Sequence, residues 1–471
     1  DEEIKVILSA VDVAKIEPYK EKILAENLMD DKKLKPGKVI TSKTDDETGI
    51  TTLNLSNGAT VVLKQTNFKN DEIVFRAFSK GGHSLVKDAD YYSGSYASQV
   101  ISQSGVGNFS AVDLGNMLKG KSTSLSPNIS LYSEGLNGVT IPKETETLLQ
   151  LVNLYFKSPR KDTAAFSSFK TRQKQLFANL SSNPQIYFSS EFQKLMTKNH
   201  PRAGGIPKPE DLDKVNLDRS MQIYKERFAN AGDFTFFFVG SFNEDSIKPL
   251  IEKYIGSLPS LPKKETYKDL GIRPPVGMVK KEINKGSDQK SLVAMVFNTP
   301  APYSAKEALS LNSLAEIMSI KLIEQLREEK GGVYGISAYA NFSRIPVSAA
   351  SFTVTFPCAP DNVDTLSKAV IDELKKIIKD GVSAEDLEKI KEQQKRKLEV
   401  DSKQNRFWMD NIYDAFFYGT HPKEIKKKKK MTDALTAKMI QDAAKKYINL
   451  NSYIIATLKP DKEADKPLKG F

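Results

Sequence analysis

One stretch of this chain is written twice. His200-Pro201 recurs as His421-Pro422, each pair preceded by a helical stretch rich in Phe and Tyr, residues 187–196 and then 407–418. Gln173-Lys174 recurs as Gln394-Lys395, and Arg227-Phe228-Ala229-Asn230 as Lys446-Tyr447-Ile448-Asn449. A terminal apolar strand follows the last motif in both places, at 234–239 and at 453–457. The separations all fall between 219 and 221 residues, so one spacing relates several independent features. Self-similarity at a fixed period marks a repeated structural unit. Here the unit is roughly 200 residues, the size of one domain, and 471 residues hold two of them in tandem.

The predicted elements run in a similar order in each copy. Residues 51–55 and 60–64 read as strands around an Asn57-Gly58 hairpin turn, a pair that tolerates the positive φ such turns require. Residues 73–79 form a third strand, followed by a helix over 90–103, a hairpin-like region over 124–141 and a helical stretch from Glu144. In the second copy 291–297 is a strand, and 304–327 a long amphipathic helix with Ala308, Leu311, Ala315, Met318, Leu322 and Leu326 on one face. Strands over 333–340 and 350–356 precede a helix over 363–379, which Gly381 ends; Ser383 to Asp386 caps the next. Strands and helices mix without strict βαβ alternation. The fold class expected is therefore α+β, a tandem duplication of a largely antiparallel sheet with helices on one face. The expected division is 38–260 for the first domain, 261–277 for a proline-rich linker and 278–471 for the second. Residues 1–37 read as a helical lead-in that belongs to neither copy.

Several classes of function are excluded or weakened by composition. No apolar run approaches the ~18 residues needed to span a bilayer. The acidic start, Asp1-Glu2-Glu3, lacks the basic opening and apolar stretch of a signal peptide. The chain is then a mature form, or its numbering begins inside a longer polypeptide. The single Cys358 excludes an internal disulfide and a cysteine metal cluster; at the end of a predicted strand it reads as a buried thiol. The net charge of +11 comes largely from lysine, including Lys426 to Lys430. Such a run suits nucleic acid or an anionic surface. No aromatic residues interleave with it and no nucleic-acid motif accompanies it, so it reads as a solvated loop.

Two places invite a chemical reading. On the helix over 90–103, Tyr92, Tyr96 and Val100 recur every fourth position with Ala97 and Ile101 beside them, which makes one face apolar. A metallopeptidase would set two histidines and a glutamate one turn apart on such a helix. This one offers Ser95, Ser98 and Gln99. In the second copy Arg327 ends the long helix, Gly331-Gly332 breaks it, and Tyr334 opens the next strand. By spacing alone, Arg327 complements the helix dipole and Tyr334 fills a sheet position. Gly331 to Gly335 is no phosphate loop, because it follows a helix and lacks the Lys-Ser/Thr pair. His83, after Gly81-Gly82, reads as a surface-turn histidine, and the His-Pro pairs as structural.

Three stretches make the chain resemble half of a full-length pitrilysin-family metallopeptidase, the family of insulin-degrading enzyme. They are Leu53-Asn54-Leu55-Ser56-Asn57-Gly58; Tyr224-Lys225-Glu226-Arg227-Phe228 with Val239-Gly240; and Leu326 through Tyr334, the most specific. The resemblance covers about residues 38–460. It implies two halves, each a pair of similar domains, closing around a peptide. One half carries His-x-x-Glu-His and a distant glutamate as zinc ligands, and the other an arginine and a tyrosine that reach the substrate. Laid on that pattern, the zinc motif falls on Ser95-Tyr96-Ala97-Ser98-Gln99 and the third ligand near Leu176, with every ligand missing. The resemblance thus implies a non-zinc half that binds no metal of its own. Arg327 and Tyr334 would stabilise the developing oxyanion, and sheet edges would pair with the peptide backbone. Zinc would lie in a partner half, on the same polypeptide or on a separate subunit. Relatives of this kind are commonly exported, which implies a periplasmic setting. A catalytically dead scaffold of the same fold is the alternative, against which the retained Arg327/Tyr334 pair argues. A basic nucleic-acid-binding protein is a third reading, resting on charge alone.

Overall fold

The computed structural model of the chain describes residues 2–13, 27–262, 264–324 and 335–461. The first sheet comprises β1 (Val39–Asp45), β2 (Ile50–Leu55), β3 (Thr60–Gln65), β4 (Ile73–Lys80), β5 (Ser124–Ile129), β6 (Ser133–Thr140) and β7 (Thr235–Gly240). The second comprises β8 (Val279–Asn284), β9 (Ser291–Pro300), β10 (Ser337–Ser343), β11 (Ala349–Cys358) and β12 (Ile454–Lys459). Their orders are β1-β2-β3-β7-β4-β6-β5 and β10-β11-β9-β12-β8. Taken from its other end, the second sheet repeats the β3-β7-β4-β6-β5 run of the first. In each repeat the first pair is parallel and the rest antiparallel. Register repeats as well: Thr60 lies opposite Thr235, and Val279 opposite Ile454. The first copy adds the β1–β2 hairpin. Strand β1 is absent from the expected elements because its residues are mostly exposed and polar, as suits an edge strand.

Among the described residues the helices are α1 (Glu2–Val13), then α2 (Tyr91–Ser95), α3 (Ala97–Ser104), α4 (Ala111–Met117), α5 (Thr145–Lys157), α6 (Thr163–Ser182), α7 (Pro184–Met196), α8 (Leu217–Arg227) and α9 (Glu244–Tyr254). The second copy has α10 (Ala305–Ile323), α11 (Val363–Asp380), α12 (Ala384–Asp401), α13 (Asn405–Tyr418), α14 (Glu424–Asp433) and α15 (Ala437–Tyr447). Local chemistry sets their ends. Gly381 takes φ +81° after α11, and the Ser383 hydroxyl accepts the Asp386 N–H at the start of α12. Asn183 caps α7 the same way, with Pro184 at the first helical position. Each sheet buries one face under its own helices: Phe75, Phe236 and Phe238 against Leu149, Val152 and Phe228 in one core, Val293, Met295 and Phe297 against Leu314, Met318 and Val370 in the other. Cys358 is free and buried, its thiol pushed up to about 11 by burial.

The expectation of helices on one face only is corrected. The other face of each sheet is covered by a helix from the other copy. Helix α13 lays Met409, Ile412 and Phe417 on Phe78, Phe237 and Val239 of the first sheet. Helix α7 lays Phe188 on Ala294, Ala456 and Leu458 of the second. These are the same positions twice: Phe237 and Val239 recur as Ala456 and Leu458, and Phe188 as Met409. The contact is therefore self-complementary, like the isologous interface of a symmetric dimer. Residues 236–239, Phe-Phe-Phe-Val, form an unbroken apolar run because the strand is buried on both sides.

Three smaller expectations also change. Residues 27–37 do not stand apart from the copies: Leu28 joins the first core, Asp31 pairs with Lys253 at 2.6 Å, and Gly37 lies against Gly256 where a Cβ would strike backbone at 2.7 Å. The linker lies along the first domain, with Glu265 on Arg227 at 2.8 Å and the Lys268 N–H on the Ser84 hydroxyl at 2.9 Å. Lys426 to Lys430 form part of α14 rather than a loop. The helix holds because Ile425 and Thr432 are buried on one side while Lys426, Lys427, Lys429 and Lys430 face solvent and Lys428 lies over the Phe407 ring of α13. We propose 38–260 and 278–471 as the two domains, since β1–β7 and β8–β12 fall within them.

Candidate functional site

The helix predicted over 90–103 breaks at Tyr96, between α2 and α3, within the stretch Ser95–Gln99 on which the resemblance lays the zinc motif. The Ser95 hydroxyl turns back to donate to the Tyr92 carbonyl at 3.1 Å, and Tyr96 packs on Phe169 of α6 at 6.1 Å. Ser98 is buried and Gln99 exposed. Leu176, on α6, is 45% exposed and has no donor atom. One hydroxyl is engaged by backbone, one amide faces water and one position is aliphatic. This set does not fit zinc, which takes His, Cys, Asp or Glu. Among the described residues no three such side chains are gathered where they could hold a metal ion.

His83 is not the surface-turn residue expected. Its Nδ1 is sealed from solvent without a hydrogen-bond partner among the described residues, and its ring lies edge-on to Tyr91 at 5.7 Å. Burial, reinforced by nearby Arg202, pulls its pKa down to about 4. Arg202 is itself buried; it donates to the His83 carbonyl at 3.2 Å and pairs with Asp88 at 2.6 Å. It follows His200-Pro201, where the His200 Nδ1 accepts the Arg202 N–H at 3.2 Å. In the second copy the His421 Nδ1 accepts the Lys423 N–H, also at 3.2 Å. Both His-Pro pairs thus build the same turn, and their role is structural.

The turn before His83 needs glycine. Gly82 has φ +60°, and a Cβ there would strike the Ser130 carbonyl at 2.3 Å. Its N–H donates to Glu134 Oε2 at 2.6 Å. Burial pushes Glu134 up to about 7 despite the pull of Arg227. The two groups give opposite pH slopes. Glu134, raised in the folded chain, costs stability as pH climbs from its unfolded value through about 7; His83, lowered, costs stability as pH falls from about 6.5 through about 4. Each is worth about 3 kcal/mol at most. Urea denaturation of Glu134→Gln is expected to show the loss between about pH 5 and 7 removed. An unchanged slope in that variant would refute the assignment.

Arg327 and Tyr334 lie outside the described residues, as does the predicted strand start at 333. The flanking elements are described: α10 up to Ile323 and β10 from Ser337. A cavity of about 610 Å³ lies among α10, β10, α12, α13 and α14. Gln394 of α12 spans to α10, its amide donating to the Ser313 hydroxyl at 2.9 Å and to Glu316 at 2.8 Å. Burial raises the Glu316 pKa. Ser319 ties α10 to the edge strand, bonding both the N–H and the carbonyl of Ala338 at 2.8 and 3.1 Å. Helix α12 is the counterpart of α6, with Lys397 at the place of Leu176, and α10 is the counterpart of α2–α3. The cavity therefore sits in the second copy where the degenerate positions sit in the first. Sequence reasoning passed over Glu316 and the bridging Gln394; the only signal was the recurrence of Gln173 as Gln394.

A doubled α+β unit of this kind, with no metal-ligating side chain at Ser95, Ser98, Gln99 or Leu176, has counterparts among known peptidases. The family described as "Peptidase M16 inactive domain" matches residues 214–394, from the start of α8 in the first copy to α12 in the second. A zinc protease PQQL-like protein of Arabidopsis thaliana is 24% identical over 417 residues, 85% of this chain and 41% of its own length. The crystal structure of the periplasmic protease PqqL from Escherichia coli superimposes with a TM-score of 0.80 at 19% identity, over 97% of this chain and 50% of that one. The ferredoxin protease FusC, solved as a point mutant in complex with Arabidopsis ferredoxin, gives 0.82 at 18% identity over 98% and 50%. The chain is thus similar to PqqL-like M16 peptidases in fold over nearly its whole length, and residues 214–394 match the inactive domain of that family. It spans less than half the length of that Arabidopsis relative.

Proposed function

We propose that this chain is the non-zinc half of a zinc endopeptidase, enclosing a peptide and presenting Arg327 and Tyr334 to its reacting carbonyl. A half bearing His-x-x-Glu-His, on the same polypeptide or a separate subunit, supplies the metal. The observation that carries this reading is the pairing of an intact doubled fold with a motif emptied at Ser95, Ser98, Gln99 and Leu176. Similar proteins named as zinc proteases are about twice as long, which leaves room for the other half. Beyond Ala338, whose backbone groups Ser319 already holds, the β10 edge offers those of Ala340 and Phe342 to an extended peptide. The relative described as periplasmic supports the same compartment here. Zinc analysis after chelation and reloading tests the division of labour. The chain alone is expected to retain no stoichiometric zinc and to cleave no peptide, while a mixture with its zinc-bearing half does both. One tightly held zinc on the isolated chain, ligated by His83, His200 or His421, would sink the proposal.

A further inference from the structure

The cavity beside α10 holds a guanidinium set over two tyrosine rings. Arg344, the residue after β10, has its Cζ 3.5 Å from the ring centre of Tyr303 and 4.4 Å from that of Tyr418. Tyr303 precedes α10 and Tyr418 ends α13, so three separate elements build the clamp. Each ring is itself braced, Tyr303 by Phe342 at 5.4 Å and Tyr418 by Phe417 at 5.1 Å. Stacking covers the faces of a guanidinium and leaves its rim of N–H donors available in one plane. Arg76, Arg202, Arg219, Arg227 and Arg273 each hold a carboxylate. Among the described residues Arg344 has neither an ion pair nor a hydrogen-bond acceptor. Asp414 and Lys428 line the same cavity, and Asp414 too has no ion-pair partner among the described residues. Burial pushes its carboxyl upward against the pull of Arg344. A half-buried cation with a vacant planar rim is arranged for bidentate contact with a carboxylate.

Strand β10 leads to this rim. Ala338 turns both backbone groups toward Ser319, on the side away from β11. By the two-residue alternation of a strand, Ala340 turns its groups the same way. A peptide laid along that edge runs toward Arg344. We propose that the cavity is a carboxylate-binding site, receiving an acidic side chain or the C-terminal carboxylate of an extended peptide on the rim of Arg344. That the ligand is a peptide rests on the function proposed above; the preference for carboxylate rests on the clamp.

Three fluorescent peptides of one length test this by anisotropy with the chain as it stands. One carries a central Glu and an amidated end, one a Gln and an amidated end, and one a Gln and a free C-terminus. The wild type is expected to bind at least one carboxylate peptide about tenfold or more tightly than the Gln amide. Preference for the Glu amide identifies a side chain as the source, and preference for the free end identifies the terminus. Arg344→Gln is expected to abolish the preference while leaving the Gln amide unaffected. Arg344→Lys should not restore it, because the planar fork is lost. Asp414→Asn removes a competing charge and is expected to tighten carboxylate binding about two- to fivefold, which gives a reading even if Arg344 variants fold poorly. Equal binding of all three peptides, a preference that survives Arg344→Gln, or weakening in Asp414→Asn would overturn the site while leaving peptide binding intact. If none of the peptides bound the wild type, the peptide-enclosing function would fall with it.

Discussion

In the enzyme assembled with its zinc-bearing half, Tyr334→Phe is expected to lower kcat by roughly a hundred- to thousandfold and to change KM little. In the proposed enzyme, hydrolysis assisted by the partner half's zinc would build negative charge on the peptide carbonyl oxygen. A phenol O–H and a guanidinium beside that oxygen act mainly in the transition state, and an interaction of that kind lowers kcat and kcat/KM together when removed. Losing one such donor costs about 2.7–4 kcal/mol. Arg327→Lys is not expected to rescue, since the charge remains but the fork does not. If Tyr334 only fills a sheet position, the variant melts lower and its turnover per folded molecule stays at the wild-type level. Steady-state kinetics on protein shown to be folded separates the two cases. Full turnover in Tyr334→Phe would put the scaffold reading ahead.

Phe237→Ala is expected to destabilise the chain by about 3–5 kcal/mol. The side chain is fully buried between the copies, with ring centres at 5.7 Å to Phe78, 5.7 Å to Tyr413 and 5.6 Å to Phe416. Truncation leaves a cavity that backbone from the first sheet and helix α13 cannot readily close. The equivalent place in the second copy is already Ala456, so the two sides of the interface are not equal in apolar bulk. Urea denaturation provides the measurement. A loss below about 1 kcal/mol would mean that α13 adjusts onto the sheet, and that the exchange contributes less than burial suggests.

The α+β duplication was legible because it is encoded by spacing. His-Pro, Gln-Lys and the Arg-Phe/Lys-Tyr motifs mark matching turns and helices, and each recurrence fell in a matching place. What escaped was whatever periodicity does not record. The exchanged helices α7 and α13 appeared only as aromatic stretches, since amphipathicity shows that a face is covered but not by which part of the chain. The run Phe236-Phe237-Phe238-Val239 held the clue to a doubly buried strand. β1 escaped because an edge strand with polar residues has no apolar alternation to detect. At the candidate site, the absence of His, Cys, Asp and Glu from Ser95, Ser98, Gln99 and Leu176 was readable in the sequence, and the resemblance implies that zinc ligands would stand there. The clamp of Arg344 was not, because Tyr303 and Tyr418 stand far apart in sequence and meet only through the fold. His83 was misjudged for a similar reason: the burial around it comes from Arg202 and Tyr91, on other elements.

The exchange of helices between the copies bears on how the chain is made. When the first copy has left the ribosome, its sheet can close over α5 and α8, but Phe78, Phe237 and Val239 on the reverse face have nothing to rest on. Their cover, Met409, Ile412 and Phe417, lies in α13 and emerges only after most of the second copy has been synthesised. Until then the nascent chain displays an aromatic surface to its surroundings, the kind of surface that aggregates or recruits chaperones. Phe188, on α7, waits in the same way for β12, near the end of the described chain. Completion of either domain is thus postponed until most of the second copy has been made.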